Sequence, residues 1–167
     1  MVEIRKVVIE DLEDFNALLN SICKERSYLA YLDGVPLEKH RRLLENVVSK
    51  ELPQMMAVVK GKIVGWCDVL PNPIEGFTHT GRLGMGGARD FRSKGLGNKL
   101  LTACIKEAGQ YGLKKIELEV FSDNAAACKL YKKHGFCVEG LKEKSRKVDG
   151  VYQDIQLMGL WMIGNDA

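Results

Sequence analysis

Between residues 80 and 97 the chain reads Thr-Gly-Arg-Leu-Gly-Met-Gly-Gly-Ala-Arg-Asp-Phe-Arg-Ser-Lys-Gly-Leu-Gly, an apolar, glycine-rich run entering Arg92-x-x-Gly95-x-Gly97. Glycines let the backbone approach a ligand closely, and the N-terminus of the helix expected to follow offers unpaired N–H groups to an anion. Arg92 and Lys94 add positive charge. Such a loop suits a diphosphate. A P-loop would need G-x-x-x-x-G-K-[ST], but Gly97 leads into Asn98-Lys99-Leu100 without a Ser or Thr for magnesium. A dinucleotide fingerprint needs a third glycine, and Gly84-x-Gly86 continues as Gly87-Ala88-Arg89. Neither reading fits.

A second motif lies thirty residues on. Asn124-Ala-Ala-Ala-Cys-Lys-Leu-Tyr131-Lys-Lys-His-Gly135-Phe136 follows a strand-like run ending Leu118-Glu119-Val120-Phe121. In this order and at this separation, the two motifs resemble the GNAT superfamily of acetyl-CoA-dependent N-acetyltransferases. The likeness spans about residues 55–160, and the whole chain if the first strand and two helices are included. It implies that backbone N–H groups across Arg92, Ser93, Lys94, Gly95, Leu96, Gly97 and Asn98 wrap the coenzyme A diphosphate. It also implies that the pantetheine arm pairs with Met85, Gly86 and Gly87 like an added strand, with Asn124 bonding the arm or the helix start. The family often has Val-x-Pro here, and this chain has Gly-Ala-Arg-Asp in its place.

Acetyl transfer from a thioester needs a neutral amine, although an alkyl ammonium titrates near about 10. It needs N–H donors for the oxyanion and a proton for the departing thiolate. By the resemblance, Tyr131 is the proton donor. Glu119 is the first candidate base, five residues before Asn124, where ribosomal-protein N-terminal acetyltransferases carry theirs in a similar Leu-Glu-Val strand. Asp68 and His79 are rival bases, and water is a third route. No cysteine sits in a local motif with a histidine, so direct transfer in a ternary complex is expected rather than an acyl-enzyme. A non-catalytic acetyl-CoA-binding module of the same fold is the alternative.

These groups must be positioned by ordinary elements. Residues 2–9 alternate as a strand, and Asp11-x-x-Asp14 reads as an N-cap with an acidic first turn before an apolar helical stripe. Residues 26–35 form a loop with exposed aromatics, and Pro36 opens a second helix over 36–51. Met55–Val59 and Ile63–Leu70 flank a Gly61-Lys62 turn as a hairpin, followed by a loop over 71–79. Then come a strand at 80–91, a helix at 96–110, a strand at 114–121 and a short helix at about 124–134 closed by Gly135. Asp149-Gly150 marks a final hairpin within 136–162. The expected fold is α/β, a GNAT-like mixed and mostly antiparallel sheet with a central parallel β-α-β unit and helices on both faces. Residues 1–167 are read as one domain.

Net charge of +3 spread over 167 residues is too diffuse to indicate nucleic-acid binding. No apolar run reaches the roughly 18 residues of a membrane span, and the N-terminus has no signal-peptide pattern. The five cysteines form no C-x-x-C pair and read as buried free thiols in a reducing compartment, which with the missing signal gives a cytoplasmic protein. His40, His79 and His134 show no zinc spacing, so no metal is expected. The partner is an amine-bearing acceptor, either a small amine, an amino-acid derivative or a protein N-terminus; a homodimer is compatible with the sequence.

Overall fold

A computed structural model describes residues 1–162; residues 163–167, the end of the expected domain, lie outside the described residues. The strands are β1 (Glu3–Lys6), β2 (Gln54–Val59), β3 (Lys62–Pro71), β4 (Thr80–Gly87), β5 (Lys115–Phe121), β6 (Cys137–Val148) and β7 (Val151–Trp161). The helices are α1 (Leu12–Cys23), α2 (Leu37–Ser49), α3 (Leu96–Tyr111) and α4 (Ala125–Lys133). One sheet runs β1-β2-β3-β4-β5-β7-β6, antiparallel throughout except for β4 and β5. That parallel pair is the expected β-α-β unit, with α3 as its crossover.

Helices cover both faces. Leu100, Leu101, Cys104 and Ala108 of α3 are at most 1% exposed and pack with Tyr131 and Phe136 on one side. On the other, Phe15, Leu18 and Ile22 of α1 and Leu44 and Val47 of α2 pack on Met56, Val58 and Trp66. Burying each large side chain contributes about 1.5–3 kcal/mol, so these two stripes fix the helices to their faces.

Three local expectations change. The first strand covers only Glu3–Lys6, because the chain bends into a 3-10 turn over Ile9–Asp11. Asp11 does not cap α1; its carboxylate accepts the Val8 N–H and takes both arms of Arg5 at 2.7 and 2.8 Å. The strand expected to run to residue 91 ends at Gly87, and a 3-10 turn over Arg89–Phe91 turns the chain toward α3. The final hairpin turns at Asp149 (φ 49°) and Gly150 (φ 82°), as the dipeptide indicated. All five cysteines are free, but only Cys23, Cys67 and Cys104 are buried as expected; Cys128 is half-buried and Cys137 exposed.

Candidate active site

The site is organised by a split in the sheet. β4 pairs with β5 only from Thr80↔Lys115 to Arg82↔Glu117. Beyond that level β4 stays with β3 up to Gly87↔Gly65, and β5 stays with β7 up to Phe121↔Ile155. The two strands therefore part and leave a gap. Ala88 N–H donates to the Val64 carbonyl at 2.8 Å, and Asn72 N–H to the Thr80 carbonyl at 3.0 Å. Bonded and non-bonded pairs alternate in an antiparallel ladder. Gly84 and Gly86 accordingly bond to Asp68 and Trp66, whereas Leu83, Met85 and Gly87 turn their main-chain groups into the gap. Of the three residues expected to pair with a ligand strand, Met85 and Gly87 are so oriented and Gly86 is not.

Gly86 and Gly84 serve the opposite face. A Cβ on Gly86 would come within 2.6 Å of the Trp66 ring, and one on Gly84 within 3.3 Å of the Asp68 carboxylate. Both side chains lie across β4 because these positions are bare. The alternation that resembles half a dinucleotide fingerprint is thus a packing device.

The loop ahead of α3 has the form of an anion cradle. Ser93 (φ 57°) and Gly95 (φ 81°) are both left-handed, the first N–H of α3 to bond within the helix is that of Lys99, donating to the Gly95 carbonyl, and no side chain caps this end. Successive N–H groups in such a turn converge on one point. Gly97 lies against α4, where a Cβ would stand 3.0 Å from Leu130. The Arg92 side chain is engaged within the chain. Its guanidinium donates to both oxygens of Glu25 at 2.7 and 2.8 Å and to the Gly87 carbonyl, and it stacks 4.6 Å from the centre of the Tyr28 ring. It shares the Glu25 carboxylate with Arg89 at 3.5 Å, and Glu25 is held below the ordinary carboxylate range first by Arg92 and then by Arg89. Arg92 ties the loop to the end of α1. Lys94 donates to the Asp90 carbonyl at 2.8 Å.

Of the four titratable groups that the sequence suggests for proton transfer, the fold brings three to the gap. Tyr131 of α4 is buried beneath it on the α3 side, its ring 5.7 Å from that of Phe136 and its hydroxyl without a hydrogen-bond partner among the described residues. Burial pushes that phenol well above its ordinary value. On the α1–α2 side stand Asp68 and Glu119. Asp68 pairs with Gly84, and two residues up from Arg82↔Glu117 the register sets Gly84 level with Glu119. The two carboxylates flank the gap at one level. His79 is exposed, and it lies six residues before Met85, about 20 Å along the strand; it does not reach the gap. Asn124 caps α4, its Oδ1 accepting the Ala127 N–H at 3.2 Å.

The two carboxylates differ in chemistry. Asp68 retains some exposure, yet enough protein surrounds it for desolvation to raise its pKa to about 7, with hydrogen bonds from Gln54 and Trp66 offsetting only part. Glu119 is instead depressed, first by its hydrogen bond with Lys142 at 2.7 Å and then by Arg82 at 3.2 Å. Sequence reasoning ranks Glu119 first because its neighbours match a motif. The lysine and arginine beside it come from β6 and β4, and no local pattern reveals them.

The mouth on the Asp68 side is framed by the α1–α2 loop and the β6–β7 hairpin. Arg146 donates to the Arg26 and Leu29 carbonyls and lies 4.3 Å over the Phe121 ring, and Arg26 pairs with Asp149 at 2.8 Å. Among the described residues no helix is long and apolar enough to cross a membrane.

The sequence matches the model of the acetyltransferase (GNAT) family over residues 15–136. It is similar to an L-amino acid N-acetyltransferase of Escherichia coli, 32% identical over 110 residues that span 64% of this chain and 67% of that protein. It is also similar to the L-methionine sulfoximine/L-methionine sulfone acetyltransferase of Pseudomonas aeruginosa, 26% identical over 159 residues, 94% of this chain and 92% of that one. The crystal structure of a GNAT-family acetyltransferase from Streptococcus pneumoniae superposes with a TM-score of 0.91 at 28% identity, covering 97% of this chain and 100% of that chain.

Proposed function

Because the chain belongs to the acetyltransferase (GNAT) family, we propose that it moves an acetyl group from acetyl-CoA to the amine of an amino acid or amino-acid derivative within a ternary complex. The single observation that carries this reading is the gap between β4 and β5, with Asp68 on one face of the sheet and Tyr131 on the other. The unpaired N–H groups at Ser93–Gly97 fit a diphosphate, and the main-chain groups of Met85 and Gly87 fit an extended amide-bearing arm. When bound, acetyl-CoA supplies the acetyl group as an activated thioester.

The chain's own groups then divide the proton work. Asp68, ionised above about pH 7, takes a proton from the acceptor's ammonium group and leaves a neutral amine to attack the carbonyl carbon. Gln54 can serve both states of that carboxyl. Its Nε2 donates to Asp68 at 3.3 Å, and its buried Oε1, unpartnered among the described residues, can accept the acid proton after the amide turns over. Main-chain N–H groups of β4 facing the gap stabilise the oxyanion, each worth about 3–4 kcal/mol in comparable sites. As the C–S bond breaks, the Tyr131 hydroxyl, fully protonated at any working pH, donates to the sulfur. The second proton of the attacking nitrogen leaves as the amide forms and, passed through water, restores the phenol.

The test follows free thiol release from acetyl-CoA across a panel of amino acids and simple amines, with acetyl-CoA binding measured by thermal shift. Thiol release that requires both acetyl-CoA and an amine supports transfer. Binding with no release on any acceptor would leave only an acetyl-CoA-binding module.

A further inference from the structure

Glu119 holds two cations at once: its Oε1 accepts from Lys142 Nζ at 2.7 Å, and its Oε2 faces Arg82 Nη2 at 3.2 Å. One carboxylate cannot neutralise both, so the trio carries surplus positive charge. The Arg82 and Lys142 side chains are 70% and 48% exposed, so donors not spent on Glu119 remain open. A guanidinium has five N–H donors in a fork that matches a carboxylate.

The placement of this trio gives it meaning. It stands on the Asp68 face, where β4 and β5 part, with Gly84 between it and Asp68. An amine at Asp68 therefore finds a cationic pair on the other flank, within reach of a small zwitterion. Arg82 and Glu119 themselves line a cleft of about 480 Å³, whose apolar wall is Leu70, Pro71, Leu157 and Met158. Beside Arg82, whose partner across the strands is Glu117, Lys115 lies between Glu117 at 3.2 Å and Glu139 at 3.0 Å, a surplus of negative charge that repels an acidic side chain.

We propose that Arg82 and Lys142, held side by side by Glu119, bind the carboxylate of the acceptor, which makes the acceptor a free α-amino acid with a neutral, apolar side chain. This rests on the acetyl-transfer reading above. Glu119 is then a positioning residue and not the base, and the ammonium group of the acceptor is left to Asp68.

The experiment compares L-leucine with L-leucinamide, which keeps the amine and side chain but lacks the anionic charge. Arg82→Ala should lower kcat/KM for L-leucine about 10- to 100-fold, mostly through KM, because a charge-assisted hydrogen bond is lost. For L-leucinamide the same variant should stay within about threefold of the parent. Arg82→Lys should restore part of the L-leucine loss. Glu119→Gln should raise KM for L-leucine while leaving kcat and the leucinamide reaction nearly unchanged. Because Arg82 is exposed, its variants keep the fold, and an unchanged acetyl-CoA thermal shift checks this. Equal losses on both acceptors in Arg82→Ala, or a collapse of kcat on both in Glu119→Gln, would overturn the proposal while leaving acetyl transfer intact. Acetylation confined to amines without a carboxylate would overturn it in the same way. Failure of every amine to release thiol would remove the underlying reading itself.

Discussion

Asp68 makes a prediction in which activity and stability move in opposite directions. Its carboxyl titrates near 7 in the folded chain, against an ordinary value of 3.8. Between those values the folded state holds a proton that the unfolded state has lost, so stability falls as pH rises from about 4 to about 7. Asp68→Asn should therefore raise Tm by several degrees at pH 8 and change it little at pH 4, read by thermal denaturation at both pH values. The same variant should lower kcat/KM by about 100-fold or more and abolish the rising limb of its pH profile near 7. A variant that keeps this limb would move the base elsewhere. Tyr131→Phe removes the hydroxyl without emptying the ring's place against Phe136, so it should lower kcat by about 10- to 10⁴-fold in an assay limited by chemistry. Acetyl-CoA affinity, measured by thermal shift, should stay within a few-fold.

In the proposed function the loop between β4 and α3 binds by its backbone shape, and its glycines carry different burdens. Gly95 sits at φ 81° with open space around a would-be Cβ, so Gly95→Val strains the backbone of the cradle without a clash. Gly97→Val presses on Leu130 and separates α3 from α4. The acetyl-CoA thermal shift should vanish in the first at small cost in basal Tm, whereas the second should lose both. A full shift in Gly95→Val would place the diphosphate elsewhere. Arg92 ties this loop to Glu25 by an ion pair at 2.7 Å. Arg92→Ala and Glu25→Ala should therefore weaken acetyl-CoA binding by similar factors, and the double variant by little more than either alone.

Across the described residues, the sheet separates the two halves of the candidate site. The face packed by α3 and α4 carries the cradle and Tyr131; the face packed by α1 and α2 carries Asp68, Glu119 and the mouth closed by Arg146. Arg146→Ala should unlatch the hairpin from the α1–α2 loop and cost about 1–3 kcal/mol of stability for hydrogen bonds from a charged group. It should raise KM for the amine and leave the acetyl-CoA thermal shift unchanged, since the cofactor side does not depend on that latch. An equal loss on both sides would mean that the mouth and the cradle are one cooperative unit.

Much of this was determined by the sequence alone, because it was local. The helical stripe of Leu96, Leu100, Leu101 and Ala108, the Asp149-Gly150 turn, and the glycines opening α3 declare themselves through periodicity and backbone preference, each within a few residues. The two motifs likewise lie on the elements expected of them, Tyr131 on α4 and Gly95 at the start of α3. What the sequence could not decide was the charge state of its own carboxylates. Asp68 and Glu119 look alike in strands, but burial raises one against the hydrogen bonds of Gln54 and Trp66, while Lys142 and Arg82 depress the other. Those neighbours arrive from separate strands, so their pairing depends on register and on the bare positions at Gly84 and Gly86. For the same reason the sequence did not reveal that Glu25, just past α1, pairs with Arg92. Electrostatics acts through space, and only the tertiary structure decides which charges share that space.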